Sequence, residues 1–157
     1  MFQNYNYPDY YQYGFRQTPM TTGVSQQCLQ RVSKAVQDER HDELFYQYLI
    51  SNAPTQEQKQ IISSIRDDER KHNQMFRRIY RDLTGQEIQI TSEPQFKRPT
   101  SYIDGIKQAL FGELHAVEEY RPIRECLPVA YKDALFLIIT DEIKHASKYN
   151  YLFTLNK

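Results

Sequence analysis

Two strings in this 157-residue chain have the residue types and spacing for metal chemistry: Asp68-Glu69-Arg70-Lys71-His72 and Asp141-Glu142-Ile143-Lys144-His145. Each carries a Glu-x-x-His pair, and residues three apart on a helix share one face. Both pairs lie inside apolar runs of helical period. The first reads Ile62, Ile65, Glu69, His72, Phe76, Ile79, and the second Leu135, Ile138, Glu142, His145, Tyr149, Leu152. Acid and imidazole thus stand where the period asks for core residues. Glu39 does the same among Val32, Val36, Tyr46 and Leu49, and Glu113 among Ile106, Leu110, Val117 and Tyr120. Eleven Glu and four His scattered at random over this length give about 0.3 Glu-x-x-His matches. Two occur, both on a seam, so four carboxylates and two histidines are expected to converge on one interior.

Burying four unpartnered carboxylates costs several kcal/mol each, comparable in sum with the stability of a whole domain. Two divalent cations would cancel four negative charges and leave the imidazoles neutral, as ligands must be. Arg40, Arg70 and Lys144 could neutralise the acids instead, but Arg40 and Arg70 follow a seam glutamate directly and point about 100° away from it on a helix, and Lys144 likewise precedes His145. Oxygen-rich ligation with two imidazoles and no thiolate suits iron or manganese better than structural zinc. Two Fe ions are expected, with Mn or a mixed Fe/Mn pair as the alternative.

Other polar residues sort around this set. Tyr46 and Tyr120 each lie seven residues after a seam glutamate; a buried phenol needs a partner, and a ligand carboxylate is nearest. Asp68 and Asp141 either accept the outer ring N–H of a histidine from the neighbouring hairpin or stand exposed. Glu43, one turn after Glu39, competes as the first helix's ligand, although the spacing to Tyr46 favours Glu39. His41 and His115 lie about 200° around the helix from the seam acids and read as solvated or interfacial. Glu118 and Glu119 are off the seam.

Four helical blocks must position these groups. The first ends near Ser51 to Pro54 and the second at Gly85. The third carries Ile103, Ile106, Leu110, Leu114, Val117 and Tyr120 and ends at Pro122, and the fourth runs from Leu135 to Phe153. The sixteen-residue connector 85–100 can reach roughly 50 Å when extended, enough to run the length of a bundle. The blocks therefore predict an all-α fold, an antiparallel four-helix bundle with a long crossover between helices 2 and 3. An internal duplication is visible as well. Glu39 is followed after seven, fifteen and thirty residues by Tyr46, Pro54 and Glu69, and Glu113 after seven, fifteen and twenty-nine by Tyr120, Pro128 and Glu142.

Composition narrows the remaining choices. Twenty basic and twenty acidic residues cancel, so no nucleic acid partner is expected. The most apolar stretch, Ala134 to Thr140, is too short to span a bilayer, and no membrane association is expected. Without a cationic start and apolar segment, and with only Cys28 and Cys126, a cytoplasmic location is the expectation. The two cysteines read as small buried hydrophobes. Residues 1–24, with Tyr5, Tyr7, Tyr10, Tyr11 and Tyr13 among Asn, Gln, Pro and Gly, read as a flexible arm, and 25–157 as the bundle.

Across residues 28–155 the pattern resembles the ferritin-like superfamily, in particular its rubrerythrin-type diiron four-helix domain. The resemblance implies six metal ligands: Glu39 and Glu113 from helices one and three, and Glu69 with His72 and Glu142 with His145 from helices two and four. It also places Tyr46 where a tyrosine is bonded to the ligand carboxylates, and makes Tyr46 and Tyr120 the candidate catalytic residues. The implied function is a dinuclear metal protein, an oxidoreductase acting on O2 or peroxide in iron oxidation or oxidative-stress defence. Two departures stand out. Ala116 replaces the further carboxylate one turn after Glu113, and no rubredoxin domain is present, so an external electron donor is expected. Arg70, where a haem-binding relative would have Met, argues for no haem. A homodimer or higher homo-oligomer is expected. The alternative functions are an iron-storage assembly, or a structural protein of the spore-coat type anchored by its tyrosine-rich arm.

Overall fold

The computed structural model describes residues 23–90 and 92–157. Four helices form: α1 (Gln26–Asn52), α2 (Gln56–Thr84), α3 (Tyr102–Cys126) and α4 (Val129–Leu155). Three begin at a hydroxyl side chain that accepts a free first-turn N–H: Ser25 from Cys28, Thr55 from Gln58 and Ser101 from Asp104. Gly85 closes α2 at φ 70°, the left-handed conformation in which a side chain is strained. Most of the expected arm, residues 1–22, lies outside the described residues, while Val24 already packs against the core.

Helices α1 and α2 pack as one antiparallel hairpin and α3 and α4 as another, and the hairpins meet more sparsely along α1/α3 and α2/α4. Two apolar clusters fill the interior. One gathers Val32, Val36, Phe76, Ile79, Val117 and Leu135, and the other Leu49, Ile62, Ile65, Ile106 and Leu152. The connector starts beside the first cluster at Ile88 and reaches the second at Phe96. It thus runs the length of the bundle, as its reach requires if α3 is to lie antiparallel to α1. No helix among the described residues is long and apolar enough to cross a membrane.

Three expectations are corrected. Helix α3 does not end at Pro122 but continues to Cys126. The proline withdraws one N–H from the carbonyl of Glu118, an exposed position that water can satisfy. Burial of Ile123 and Leu127 holds the last turn in place. Leu114, read as a core position, is 44 % exposed, because its neighbour Glu113 takes the inward direction. Cys28 and Cys126 are not two separate buried hydrophobes. They form a disulfide that ties the start of α1 to the end of α3 across 98 residues, and Cys126 is exposed.

Candidate metal centre

Between the two apolar clusters lie the six groups singled out by type and spacing. Glu39, Glu69, His72, Glu113, Glu142 and His145 are each no more than 2 % exposed. One helix turn separates each of them from apolar neighbours on the same seam, so the burial that orders the hydrophobes drags the polar side chains in with them. They fall into two overlapping groups. Glu39, Glu69, His72 and Glu142 offer ligand atoms all within 4.8 Å of one another, and so do Glu69, Glu113, Glu142 and His145. Glu69 and Glu142 belong to both.

The imidazoles face this cluster through Nδ1. His72 Nδ1 lies 3.0 Å from Glu142, 3.3 Å from Glu69 and 3.7 Å from Glu39. His145 Nδ1 lies 3.0 Å from Glu69 and 3.6 Å from both Glu113 and Glu142. Their outer nitrogens are taken by the other hairpin's aspartate: His72 Nε2 is 3.3 Å from Asp141, and His145 Nε2 is 3.2 Å from Asp68. Of the two readings open for these aspartates, the structure selects the one in which they orient the rings. An outer nitrogen engaged with a carboxylate leaves the inner one for a metal.

The phenols cross the bundle in the same way. Tyr46 on α1 donates to Glu113 Oε1 at 2.8 Å, and Tyr120 on α3 donates to Glu39 Oε1 at 2.7 Å. The neighbouring cations stay outside. Lys144 Nζ bonds Asp68 at 3.2 Å and Asp141 at 2.5 Å. Arg40 and Arg70 clamp the two oxygens of Glu43 at 2.5 Å and 2.6 Å. Glu43 is therefore occupied on the outer surface and is not available as a ligand. His41 bonds Asp42 at 2.9 Å, and His115 is exposed beside Glu118.

Charge inside the cluster is out of balance. Burial, reinforced by the charge of Glu69, pushes the Glu39 carboxyl up to about 8. Glu142 is raised for the same two reasons. Burial alone would lower both histidines, but adjacent carboxylates outweigh it. Glu142 raises His72, and Glu69 and Glu113 raise His145, well above the usual imidazole range. Tyr46 and Tyr120 are raised chiefly by burial. The cluster by itself thus retains protons where cations could stand. Buried polar atoms are nearly always satisfied, yet Glu39 Oε2, Glu69 Oε1, Glu142 Oε1 and His145 Nδ1 have no partner in hydrogen-bonding geometry, even where His145 Nδ1 stands 3.0 Å from Glu69. Four unsatisfied ligand-type atoms, all on residues of the two overlapping groups, fit a bound metal pair.

The reading by spacing missed three features of the surroundings. Tyr149 stands on the α4 seam where the period asks for a core residue. It is a third buried phenol, packed 5.2 Å from the Tyr46 ring with an unpartnered hydroxyl. The clamp on Glu43 extends to Glu93 in the connector, whose carboxylate takes Arg40 at 2.9 Å. Nothing in local spacing announces a contact with a segment that lacks a period. The Cys28–Cys126 pair likewise becomes visible only when α1 and α3 are set side by side.

No curated protein matches this chain, and no solved structure does. A comparison at the level of families matches Rubrerythrin over residues 31–153. That span begins just after the start of α1, includes all six buried ligand-type residues and ends in the last turns of α4. The chain belongs to the rubrerythrin family.

Proposed function

We propose that this chain holds two iron ions and acts on dioxygen or hydrogen peroxide, in ferrous-iron oxidation or in oxidative-stress defence. The observation that carries this reading is the pair of four-residue groups sharing Glu69 and Glu142. Two divalent charges match four carboxylates, and the same six residues would bind manganese or a mixed pair by the same chemistry. Glu39 with His72, and Glu113 with His145, would each serve one ion, and Glu69 and Glu142 would serve both. A bound Fe(II) pair supplies two electrons, the number that converts peroxide and two protons into two waters. Tyr46 and Tyr120 hold Glu113 and Glu39 by one oxygen each. Asp68 and Asp141 hold the imidazoles, so the ligand set is oriented before metal arrives. Return to the reduced state falls to an external electron donor.

A homo-oligomer is supported by apolar side chains left on the outer faces of one hairpin. Phe111 on α3 and Phe136 and Ile143 on α4 are 58 %, 54 % and 48 % exposed. The disulfide fits an oxidising compartment or a spore layer better than the reducing cytoplasm expected from two cysteines without a pairing motif.

Anaerobic titration with Fe(II), followed by oxygen or peroxide, tests the reading. About two irons per chain and a new near-ultraviolet absorption band are expected. Absence of the band in the native chain, or its persistence in a Glu69→Ala/Glu142→Ala double variant, overturns it.

A further inference from the structure

The two flanks of the buried cluster differ in how they could let a molecule in. On the α2/α4 flank the outer nitrogens of both histidines are bound to Asp68 and Asp141, and Lys144 spans the two aspartates. Passage there means breaking several charge-assisted hydrogen bonds together. On the α1/α3 flank lies a cavity of about 210 Å³, between α1, α3 and the connector. Tyr46 forms part of its wall, and the Tyr46 hydroxyl is bonded to Glu113, so the cavity lies one side chain from the cluster. Asp42 and His41 also line it, and Phe96 of the connector packs there with its ring 5.3 Å from Phe45.

Gly112 makes this space more than a packing fault. A glycine inside a helix costs about 1 kcal/mol relative to alanine. Its usual reasons, a positive φ or a close neighbour, are both missing. Gly112 has no positive φ, and a Cβ built on it meets nothing within 4 Å. Gly105, about two turns earlier in α3, is different: a Cβ there would come 2.5 Å from Leu49 Cδ2. What Gly112 does provide, together with the small Ala109 near it, is open volume at the exposed rim of this cavity, whose wall includes the Tyr46 that bonds Glu113.

The size of the cavity limits what can use it. Sites for drug-sized organic molecules run from about 300 to 1,000 Å³, and a water molecule takes about 30 Å³ of liquid volume. The cavity is below that range and has room for about seven water-sized groups, ample for a diatomic or triatomic ligand.

We propose that the cavity between α1, α3 and Phe96 is the route by which a small inorganic oxidant of the dioxygen or peroxide class reaches the metal pair, kept open by Gly112 and Ala109. The inference rests on the dimetal reading and adds the path.

The test uses the full chain loaded with Co(II), whose visible spectrum reports both metal uptake and ligation by azide, a three-atom stand-in for the oxidant. Azide is mixed with the loaded protein in a stopped-flow instrument. Gly112→Leu, with helix content and cobalt stoichiometry unchanged, should slow azide association and dissociation alike by about tenfold or more, with the equilibrium constant nearly unchanged. Gly112→Ala, which adds one methyl group into free space, should slow both less, and Phe96→Ala should speed both. A weakened affinity with an unchanged association rate would mark Gly112 as part of the ligand site and overturn the route. Cobalt uptake at two per chain with identical azide rates in the native chain, Gly112→Leu and Gly112→Ala overturns the route alone. Failure of the native chain to bind cobalt overturns the dimetal reading and the route with it.

Discussion

The two hairpins are alike inside and unlike outside. Facing the centre, α1/α2 and α3/α4 present matching sets: a glutamate, a tyrosine seven residues on, a Glu-x-x-His pair, and an aspartate reaching the other hairpin's imidazole. One turn beyond the first glutamate the match fails, with Asp42 and Glu43 on α1 against Ala116 and Val117 on α3. Outward faces differ further. The first hairpin carries ion pairs such as Lys34–Asp38 and Arg70–Glu43, whereas the second leaves Phe111, Phe136 and Ile143 exposed. The match holds where two equivalent ions would need it, and fails on the outer faces and beside the cavity.

A change of pH should disturb both halves together and most strongly. In the metal-free chain Glu39 titrates at about 8 instead of 4.5, Glu142 is also raised, and both histidines are raised above 6.5. Every one of these folded-state shifts favours the proton. The stability they confer is complete below the unfolded values, and it is lost progressively as pH rises from about 4.5 through 8 and above. Thermal unfolding of the metal-free chain between pH 5 and 9 should therefore show a falling Tm. Added metal should reverse the trend, with an increment that grows with pH as ligands lose their protons. A metal-free Tm that climbs over this range would contradict the cluster's electrostatics.

Next in size is the link between halves. Removing the disulfide with Cys28→Ser and Cys126→Ser should cost about 2–4 kcal/mol, or roughly 5–15 °C in Tm for a chain of this length. Calorimetry with and without reductant measures it. Equal Tm values would show that the hairpins hold together without the tie.

Asp68→Asn and Asp141→Asn sharpen the comparison directly. Each should weaken metal binding by about 10–100-fold, and the two effects should agree if the halves are equivalent, as read by competition with a coloured chelator. Effects on the same scale, read in stability, are expected from Tyr46→Phe and Tyr120→Phe. Each removes one buried hydrogen bond to a carboxylate, worth about 1.5–3 kcal/mol when the acceptor is charged. Chemical denaturation of the metal-loaded protein should register similar losses. A larger loss for Tyr46 would locate an added demand on the side that also carries the cavity.

Much of the centre was legible beforehand because an acid on an apolar seam has only one direction to point. The inward direction of Glu39, Glu69, His72, Glu113, Glu142 and His145 follows from period, whereas for the aspartates one residue before a seam glutamate period left two directions open and the fold decides between them. Gly85 announced the end of α2 by the same kind of local rule. Pro122 misled because tertiary burial of Ile123 and Leu127 overrode a local stop signal. The disulfide, the Glu93 clamp and the cavity were illegible for another reason: each joins segments far apart in the chain, and periodicity carries no information about which surfaces meet.

The crossed phenol bonds have one more implication. Tyr46 steadies a carboxylate that its own hairpin does not supply, and Tyr120 returns the favour. Cut in two, this protein would leave each half with one loose imidazole and a tyrosine with nothing to hold. The sole remedy for such a fragment is to meet its own twin face to face, so the duplication reads as a symmetric dimer that has been written into one chain.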